Sequence, residues 1–413
     1  MLKNYFRLFE ECYLVNGING GAIYNLLTGY IYKLSINELN ILSLLEQNYS
    51  ILELLNQNEL KKINIENFLN TIKDNGLGNY YDKKTYIEKL SKDPEWKRFV
   101  FFTPPPFLNR AFIELENQCD SNCKFCNANK YIRRSICLGC NKWPIKENIL
   151  DVDSVLNLLE KLKKLNCQDI YFTGGDIFIN WTRTKTILNK SKKLDFNSIN
   201  IIWGGNYLSN EILATLKELN ISLIIQKYIA KNYDINNDIL INQLKKIDLN
   251  FSFLLLFDFN NTEQVENVVN KINSLVKCKL ILIDFLLDIN NTLNVEKYKK
   301  NINLIPLVKI NDFFTKRSHH PCIVGTIAIT GDGYIIPCPG LREYKIGHVN
   351  NFLNVFKAKK INKFWDLSKE KINGCNNCEF RYACNDCRYV EIKLGSKLLS
   401  MSSCDLNKKI LNT

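Results

Sequence analysis

The chain has 413 residues, of which 46% are hydrophobic and 23% charged, so we expect a globular protein of two or three domains. No run of about 18 apolar residues occurs and acidic residues interrupt the first apolar stretch, so we expect neither a membrane partner nor a signal peptide and predict a cytoplasmic protein. The net charge of +13 favours an acidic peptide or nucleic acid as partner, although scattered lysines on a solvated surface explain it more simply.

Residues 1–84 are predicted to form a separate module. Short apolar stretches divided by glycine-containing turns predict a β-meander, and two capping boxes predict helix starts after it. The predicted elements are, in order, the strands Tyr13–Val15, Ala22–Asn25 and Tyr30–Leu34, helices beginning at Ser35-x-x-Glu38 and Ser50-x-x-Glu53, and a third helix near Ile65–Asp74. Strands followed by three helices are typical of a winged-helix-like module.

Residues 85–110 are predicted to be a linker, because the run Pro104-Pro105-Pro106 cannot continue a helix. Over residues 111–304, strand-like segments alternate with helical patterns. The predicted strands are Ala111–Leu115, Asp169–Thr173, Ile199–Trp203, Ile221–Ile225, Phe251–Phe257 and Lys279–Asp284. Six such alternations predict an α/β fold with a parallel sheet, in the form of a partial barrel, whose ligands bind at the C-terminal ends of the strands.

The fifteen cysteines are unevenly placed, since only one precedes residue 119 and twelve fall in tight groups after it. Grouped thiols in a chain of this length indicate metal or Fe–S ligation rather than a small disulfide scaffold. Cys119, Cys123 and Cys126 follow the first predicted strand, where three thiolates can hold a [4Fe–4S] cube and leave one iron open. Zinc, with extra ligands from Cys137 and Cys140, is the alternative.

A Cys-x3-Cys-x2-Cys motif after the first strand of a partial (β/α)6 barrel resembles the signature of the radical S-adenosylmethionine (SAM) superfamily. The resemblance implies that SAM binds the open iron and is cleaved to methionine and a 5′-deoxyadenosyl radical, which abstracts a hydrogen atom. It also implies an electron donor such as flavodoxin or ferredoxin. Phe125 stands where the superfamily has an aromatic residue near the adenine.

The second predicted strand ends in Gly174, Gly175 and Asp176, which match the superfamily's Gly-Gly-Glu position. There the glycines allow a close backbone approach, and the carboxylate pairs with the SAM ammonium. This sequence departs from the pattern, because Asp is one methylene shorter than Glu and Ile177 replaces a common proline. After the third strand, Asn206 lies in the place of the superfamily's Thr-Asn-Gly-type segment, with a simple turn as the alternative.

Residues 305–413 contain seven more grouped cysteines, whereas one zinc ion takes four. They are Cys322, Cys338, Cys375, Cys378, Cys384, Cys387 and Cys404. Their spacing resembles that of the SPASM domain, the auxiliary-cluster extension of many radical SAM enzymes, except that one interval is a residue shorter. The resemblance implies two auxiliary [4Fe–4S] clusters, which with the SAM cluster make three clusters in all. It implies that Cys322, Cys338 and Cys387 bind the first auxiliary cluster and that the other four cysteines bind the second.

This implied ligation gives the first auxiliary cluster only three cysteines. Its fourth iron is then either open, so that it could bind substrate, or held by a further ligand. His319 and His320 are candidates, although adjacent histidines before a proline are more typical of a surface. Cys137 and Cys140 fit neither motif, and a structural, metal-binding or substrate-contacting role stays open. The three remaining cysteines lie in or beside apolar segments and are predicted to be buried core thiols: Cys12, Cys167 and Cys278.

A SPASM domain together with a small winged-helix module resembles maturases of ribosomally made peptides, in which the module grips the leader of a precursor peptide. An exposed strand edge can accept such a leader as an extra strand. The candidate third helix carries no arginine cluster, which argues against nucleic acid. We therefore predict a radical SAM peptide maturase that forms a thioether or another crosslink, or epimerises a residue. The alternatives are an oxidising maturase of a folded protein, as for sulfatases, and a non-catalytic Fe–S or zinc protein that binds peptide or nucleic acid.

Overall fold

The computed structural model describes residues 4–56, 64–91, 108–121, 123–126, 130–143, 148–300 and 307–404. The described strands form one ten-stranded sheet and two small sheets. No helix within these ranges combines the length and apolar character needed to cross a membrane. The proline run of the predicted linker lies outside the described residues.

The N-terminal part contains the two small sheets and three helices. Strand β1 (Tyr5–Leu8) pairs antiparallel with β5 (Gly78–Tyr81), and β2 (Cys12–Gly17), β3 (Gly20–Asn25) and β4 (Ile31–Leu34) form an antiparallel meander. The helices are α1 (Ile36–Glu46), α2 (Ile51–Leu55) and α3 (Ile65–Asp74). The predicted meander and both capping boxes are present, with Ser35 and Ser50 as the N-caps of α1 and α2.

Six adjacent parallel strands form the middle of the ten-stranded sheet. They are β6 (Arg110–Glu116), β8 (Asp169–Gly174), β9 (Ser198–Trp203), β10 (Ser222–Ile229), β11 (Phe251–Asp258) and β12 (Ile281–Asp288), and the short β7 (Tyr131–Ile132) pairs antiparallel with β12. The helices that follow these six strands are α4 (Val152–Lys164), α5 (Trp181–Lys193), α6 (Asn210–Glu218), α7 (Ile239–Leu244), α8 (Val265–Leu275) and α9 (Thr292–Lys300). The predicted six β/α alternations are therefore confirmed, and the strands end along a common edge of the sheet.

The C-terminal part contains more regular structure than predicted. Strand β13 (Thr326–Ile329) pairs parallel with β6, and β14 (Tyr334–Ile336) and β15 (Gly347–His348) extend the sheet in antiparallel fashion. The helices here are α10 (Ile310–Ser318), α11 (Phe352–Lys357), α12 (Asn362–Trp365) and α13 (Arg388–Lys393). None of these strands was predicted, because strands of two to four residues are too short to show an alternating pattern. The seven distal cysteines lie outside the regular elements.

The N-terminal meander packs against the cysteine-rich region. The Tyr24 hydroxyl donates a hydrogen bond of 2.9 Å to the Glu379 carbonyl, and the Ile18 amide donates one of 2.9 Å to the Asn377 carbonyl. A Cβ on Gly17 would lie 2.3 Å from Glu379 Oε2, so the β2–β3 turn touches the segment directly. These contacts hold the module against the stretch that carries four of the seven distal cysteines.

Cys12 on β2 gives this module a pH-dependent stability. Its side chain is fully buried, and burial, followed by the charge of Glu11, raises its pKa from 9.0 to about 12. Because the folded state holds the thiol proton more tightly, this contribution is fully present below about pH 9 and is lost as the pH rises towards 12. As the pH rises from about 8 to about 10, we expect the Tm of Cys12→Val to fall by less than the Tm of the wild type.

The control is Val15→Ala on the same strand, which changes a buried side chain but removes no titratable group. It should lower Tm by a similar amount at every pH. Parallel Tm curves for the wild type and Cys12→Val across this range would show that Cys12 does not titrate as described.

Candidate functional site

The loop after β6 carries the three-cysteine motif. Glu116, buried at the end of β6, accepts hydrogen bonds from the next two amides through Oε1, at 2.9 and 3.1 Å. The Cys126 amide donates to the Cys123 carbonyl at 2.9 Å, and the Lys142 amide donates to Cys126 Sγ at 3.0 Å. These two contacts hold the Cys126 end of the motif in place against the segment around Lys142.

The end of β8 packs directly against this loop. The amides of Gly175 and Asp176 donate to the carbonyls of Glu116 and Gln118, both at 2.7 Å. A Cβ on Gly174 would lie 2.1 Å from the Glu116 oxygen, and one on Gly175 would lie 2.1 Å from the Gln118 oxygen. Gly174 also has a φ of +127°, which favours glycine. Both glycines are therefore required for the contact between this strand end and the cysteine loop.

The two carboxylate oxygens of Asp176 have different surroundings. Its Oδ1 accepts hydrogen bonds from the Phe178 amide at 3.0 Å and from Trp203 Nε1 at 2.9 Å. Its Oδ2 has no hydrogen-bond partner within the described part of the chain. One oxygen thus positions the buried Trp203 at the end of β9, while the other is available to a cation.

A small cavity joins these elements at the C-terminal ends of the strands. The residues that line it include Cys119, Cys123, Phe125, Cys126, Cys140, Gly174, Gly175, Asp176, Trp203 and Gln226. The three motif cysteines and four of the five cofactor-binding candidates therefore meet at one place. The fifth, Asn206, instead lines a neighbouring cavity of about 570 Å³, which shares Cys123 and Phe125 with the first and has the size of a small-molecule site.

Arg133 and Cys140 also lie beside the motif. No role was predicted for Arg133, and several roles stayed open for Cys140. Cys140 Sγ accepts a hydrogen bond of 3.3 Å from Gln226 Nε2, and burial raises the pKa of its thiol to about 12 against the opposing charge of Arg133. Arg133 is buried, donates to the Cys140 carbonyl at 3.0 Å, and places its guanidinium 5.2 Å from the Phe125 ring centroid. Nothing in the local sequence distinguishes Arg133 from its neighbour Arg134.

The charged residues that line the larger cavity come from the cysteine loop, from β10 and from the segment before α7. Lys124 Nζ lies 2.7 Å from Asp258 Oδ1, and the Tyr228 hydroxyl donates to Asp258 Oδ2 at 2.6 Å. Lys227 forms a buried ion pair with Asp238. Because these charges are paired, the walls of this cavity are polar without a large net charge.

The distal cysteines lie in two groups. Cys375, Cys378, Cys384 and Cys404 are close enough for their charges to act on one another, and burial is the largest effect that raises the pKa of Cys375 to about 12. Cys322, Cys338 and Cys387 interact in the same way, and burial raises the pKa of Cys338 to about 12. Each group includes the cysteines of one ligand set that the SPASM resemblance implies, and the group of Cys322 also includes Cys137.

A buried ionic network separates these two groups along the chain. Asp386 lies between Cys384 and Cys387 and forms ion pairs with Lys369 at 3.2 Å and with Arg388. Burial of Asp386 is opposed by these cations, which hold its pKa well below the ordinary value. Two permanent cations on one carboxylate leave positive charge beside the cysteines, which favours thiolates and the anionic clusters they hold.

The sequence suggested that the two adjacent histidines lie on the surface, but in the structure both are buried. His319 and His320 are 7% and 1% exposed. His319 Nδ1 lies 3.1 Å from Asp366 and His320 Nε2 lies 3.0 Å from Asp386, so each ring contacts a carboxylate. The sequence could not show this, because both partners lie more than forty residues away.

No three Cys, His, Asp or Glu side chains of the described residues converge where one metal ion would bind. In a [4Fe–4S] cube each thiolate binds a different iron, and three thiolates leave the fourth iron open. The three motif cysteines, the Lys142 amide directed at a sulphur and the available Asp176 oxygen fit a cluster with an open iron and a ligand that carries an ammonium group.

Comparison with protein families identifies the class of the central domain. Residues 113–229 match the model of the radical SAM superfamily. This range contains the cysteine motif, Gly174–Asp176 and Trp203, so this part of the chain is similar to a radical SAM domain. A search of curated proteins found no match.

Among solved structures, the chain is similar to native anSMEcpe with bound AdoMet, at 13% identity over 73% of this chain and 95% of that one, with a TM-score of 0.52. A histidine-tagged form of anSMEcpe with bound AdoMet gives 14% identity, 74% and 95% coverage, and a TM-score of 0.53. At such identity these likenesses show the fold alone. Streptococcus suis SuiB bound to S-adenosylmethionine aligns over 97% of this chain and 100% of its own at 13% identity, but with a TM-score of 0.46 that supports no conclusion.

Proposed function

We propose that the chain is a radical SAM enzyme that modifies a ribosomally synthesised precursor peptide, with one SAM-binding and two auxiliary [4Fe–4S] clusters. The observation that carries the proposal is that the three motif cysteines and Gly174–Asp176 line one cavity at the ends of parallel strands. Cys119, Cys123 and Cys126 hold the cluster, Asp176 pairs with the SAM ammonium, and Phe125 lies near the adenine. The bound cluster and SAM supply reductive cleavage of SAM and hydrogen-atom abstraction.

The larger cavity supports a peptide substrate. It adjoins the first cavity through Cys123 and Phe125, so a segment bound there lies next to the cleavage site. Its walls offer paired charges and the Tyr228 and Tyr233 hydroxyls, which suit the mixed polar groups of a peptide.

The N-terminal meander supports recognition of a leader. The outer edge of β4 pairs with no other strand in the described ranges, apart from one bridge between Tyr30 and Leu307. An extended peptide can add to such an edge through main-chain hydrogen bonds. Because the β2–β3 turn contacts the cysteine-rich region, a leader on β4 is held close to the rest of the enzyme.

The reaction that we favour is a thioether or another crosslink, which removes two hydrogens from the peptide, whereas an epimerisation leaves its mass unchanged. The test is to co-express the chain with the short reading frames that adjoin its gene and to weigh the peptides by mass spectrometry. We expect one peptide to lose the mass of two hydrogens, and to keep its mass beside a Cys119→Ala variant. Unchanged mass and stereochemistry in every peptide would overturn the proposal and favour a folded protein as substrate.

A further inference from the structure

The first auxiliary group contains only three of the distal cysteines, and a fourth thiol from the radical SAM domain reaches it. Cys137 ends a short 3₁₀ helix, Arg134–Cys137, in the connection between β7 and α4. It packs against the apolar cluster formed by Phe112 on β6, Ile202 on β9, Ala328 on β13 and Ile336 on β14, which Cys140 also contacts. Because Ile336 lies two residues before Cys338, Cys137 sits where the two parts of the chain meet.

The backbone around these cysteines converges on one point. A Cβ built on Gly340 would lie 2.7 Å from Tyr389 Cβ and 3.0 Å from Ile136 Cγ2, so three chain segments touch there. Each of these three residues lies within two positions of a cysteine: Cys338, Cys387 and Cys137, respectively. The fourth segment is tied in by Arg110, whose Nη2 donates to the Cys322 carbonyl at 2.7 Å.

Cys137 also lies close enough to the other three thiols for its charge to act on each of them, at Cys322, Cys338 and Cys387.

Cys140 provides the contrast. It is only three residues from Cys137, but it lines the cavity of the SAM motif and accepts a hydrogen bond from Gln226. The Cys137-x2-Cys140 pair is therefore divided between two sites and does not form a metal-binding pair of its own.

We propose that Cys137 is the fourth protein ligand of the first auxiliary cluster, beside Cys322, Cys338 and Cys387. This assignment rests on the proposed function for the existence of that cluster. With four thiolates the cube has no open iron, so a substrate thiol does not bind it and its role is electron transfer. The ligation also links the radical SAM domain to the C-terminal region through iron–sulphur bonds.

The test uses the full chain with Cys119, Cys123 and Cys126 replaced by alanine, which removes the SAM cluster and leaves the auxiliary ones. After anaerobic reconstitution we expect about eight irons per chain in this parent. Adding Cys137→Ala should lower the count to about seven and convert one cluster to a [3Fe–4S] form with its own electron paramagnetic resonance signal. Cys278→Ala, which removes a thiol outside both sites, should match the parent.

Cys137→Ser covers the case in which the alanine variant does not fold, because an oxygen ligand keeps the iron but shifts its Mössbauer parameters. Iron content and spectra equal to the parent in both Cys137 variants would overturn the assignment and leave the proposed function intact. A parent without iron would instead overturn the auxiliary clusters themselves, and the assignment with them.

Discussion

Replacing Cys119, Cys123 and Cys126 together by alanine is expected to lower SAM cleavage by at least about 10³-fold, because residues that act as a unit fail together. For the same reason, each single alanine variant should be nearly as impaired as the triple one. All three side chains are only partly buried, so the fold should tolerate their loss. The measurement is 5′-deoxyadenosine formed by dithionite-reduced, reconstituted protein, quantified by mass spectrometry.

The control for this experiment is Cys278→Ala, which makes the same chemical change on a half-buried thiol away from the motif. It should keep wild-type cleavage. Substantial 5′-deoxyadenosine from the triple variant would mean that another set of ligands holds the SAM-binding cluster.

Gly175→Ala is expected to reduce SAM cleavage at least about tenfold, because the new Cβ meets the Gln118 carbonyl at 2.1 Å and forces the cysteine loop to move. The clash is with backbone, which cannot rotate away as a flexible side chain can. Gly174→Ala should be more damaging still, since it combines a clash with the Glu116 carbonyl and a φ of +127°.

Gly76→Ala separates backbone strain from the clash. Gly76 also has a positive φ, of +67°, but a Cβ there would meet nothing within 4 Å. It should cost a little Tm and no cleavage activity. Full SAM cleavage by Gly175→Ala would contradict the close packing of β8 against the cysteine loop.

Prediction from the sequence worked best for elements whose pattern arises from nearby residues and repeats over many positions. Six β/α alternations and two capping boxes were predictable because hydrophobic period and N-cap chemistry act within one element. The motif cysteines were proposed from their spacing after a strand, and Phe125 and Gly174–Asp176 from the resemblance to the radical SAM superfamily; in the structure all of them line one cavity.

What escaped prediction depends on partners far away in the chain. Strands β1 and β5 pair across some seventy residues, and β13 joins the sheet beside β6 across two hundred. Arg133 contacts Gln226, and Cys137 packs against residues of β13 and β14, only once distant segments have folded together. No local pattern marks such residues, because burial and charge are properties of the packed state.

Reductive cleavage of SAM by the wild-type chain is the direct test of the proposed radical SAM chemistry. The protein, purified and reconstituted without oxygen, is mixed with SAM and dithionite, and its metal content and products are measured. We predict about twelve irons per chain and formation of 5′-deoxyadenosine with methionine. Stoichiometric zinc in the anaerobically purified protein, with no iron and no 5′-deoxyadenosine, would contradict it.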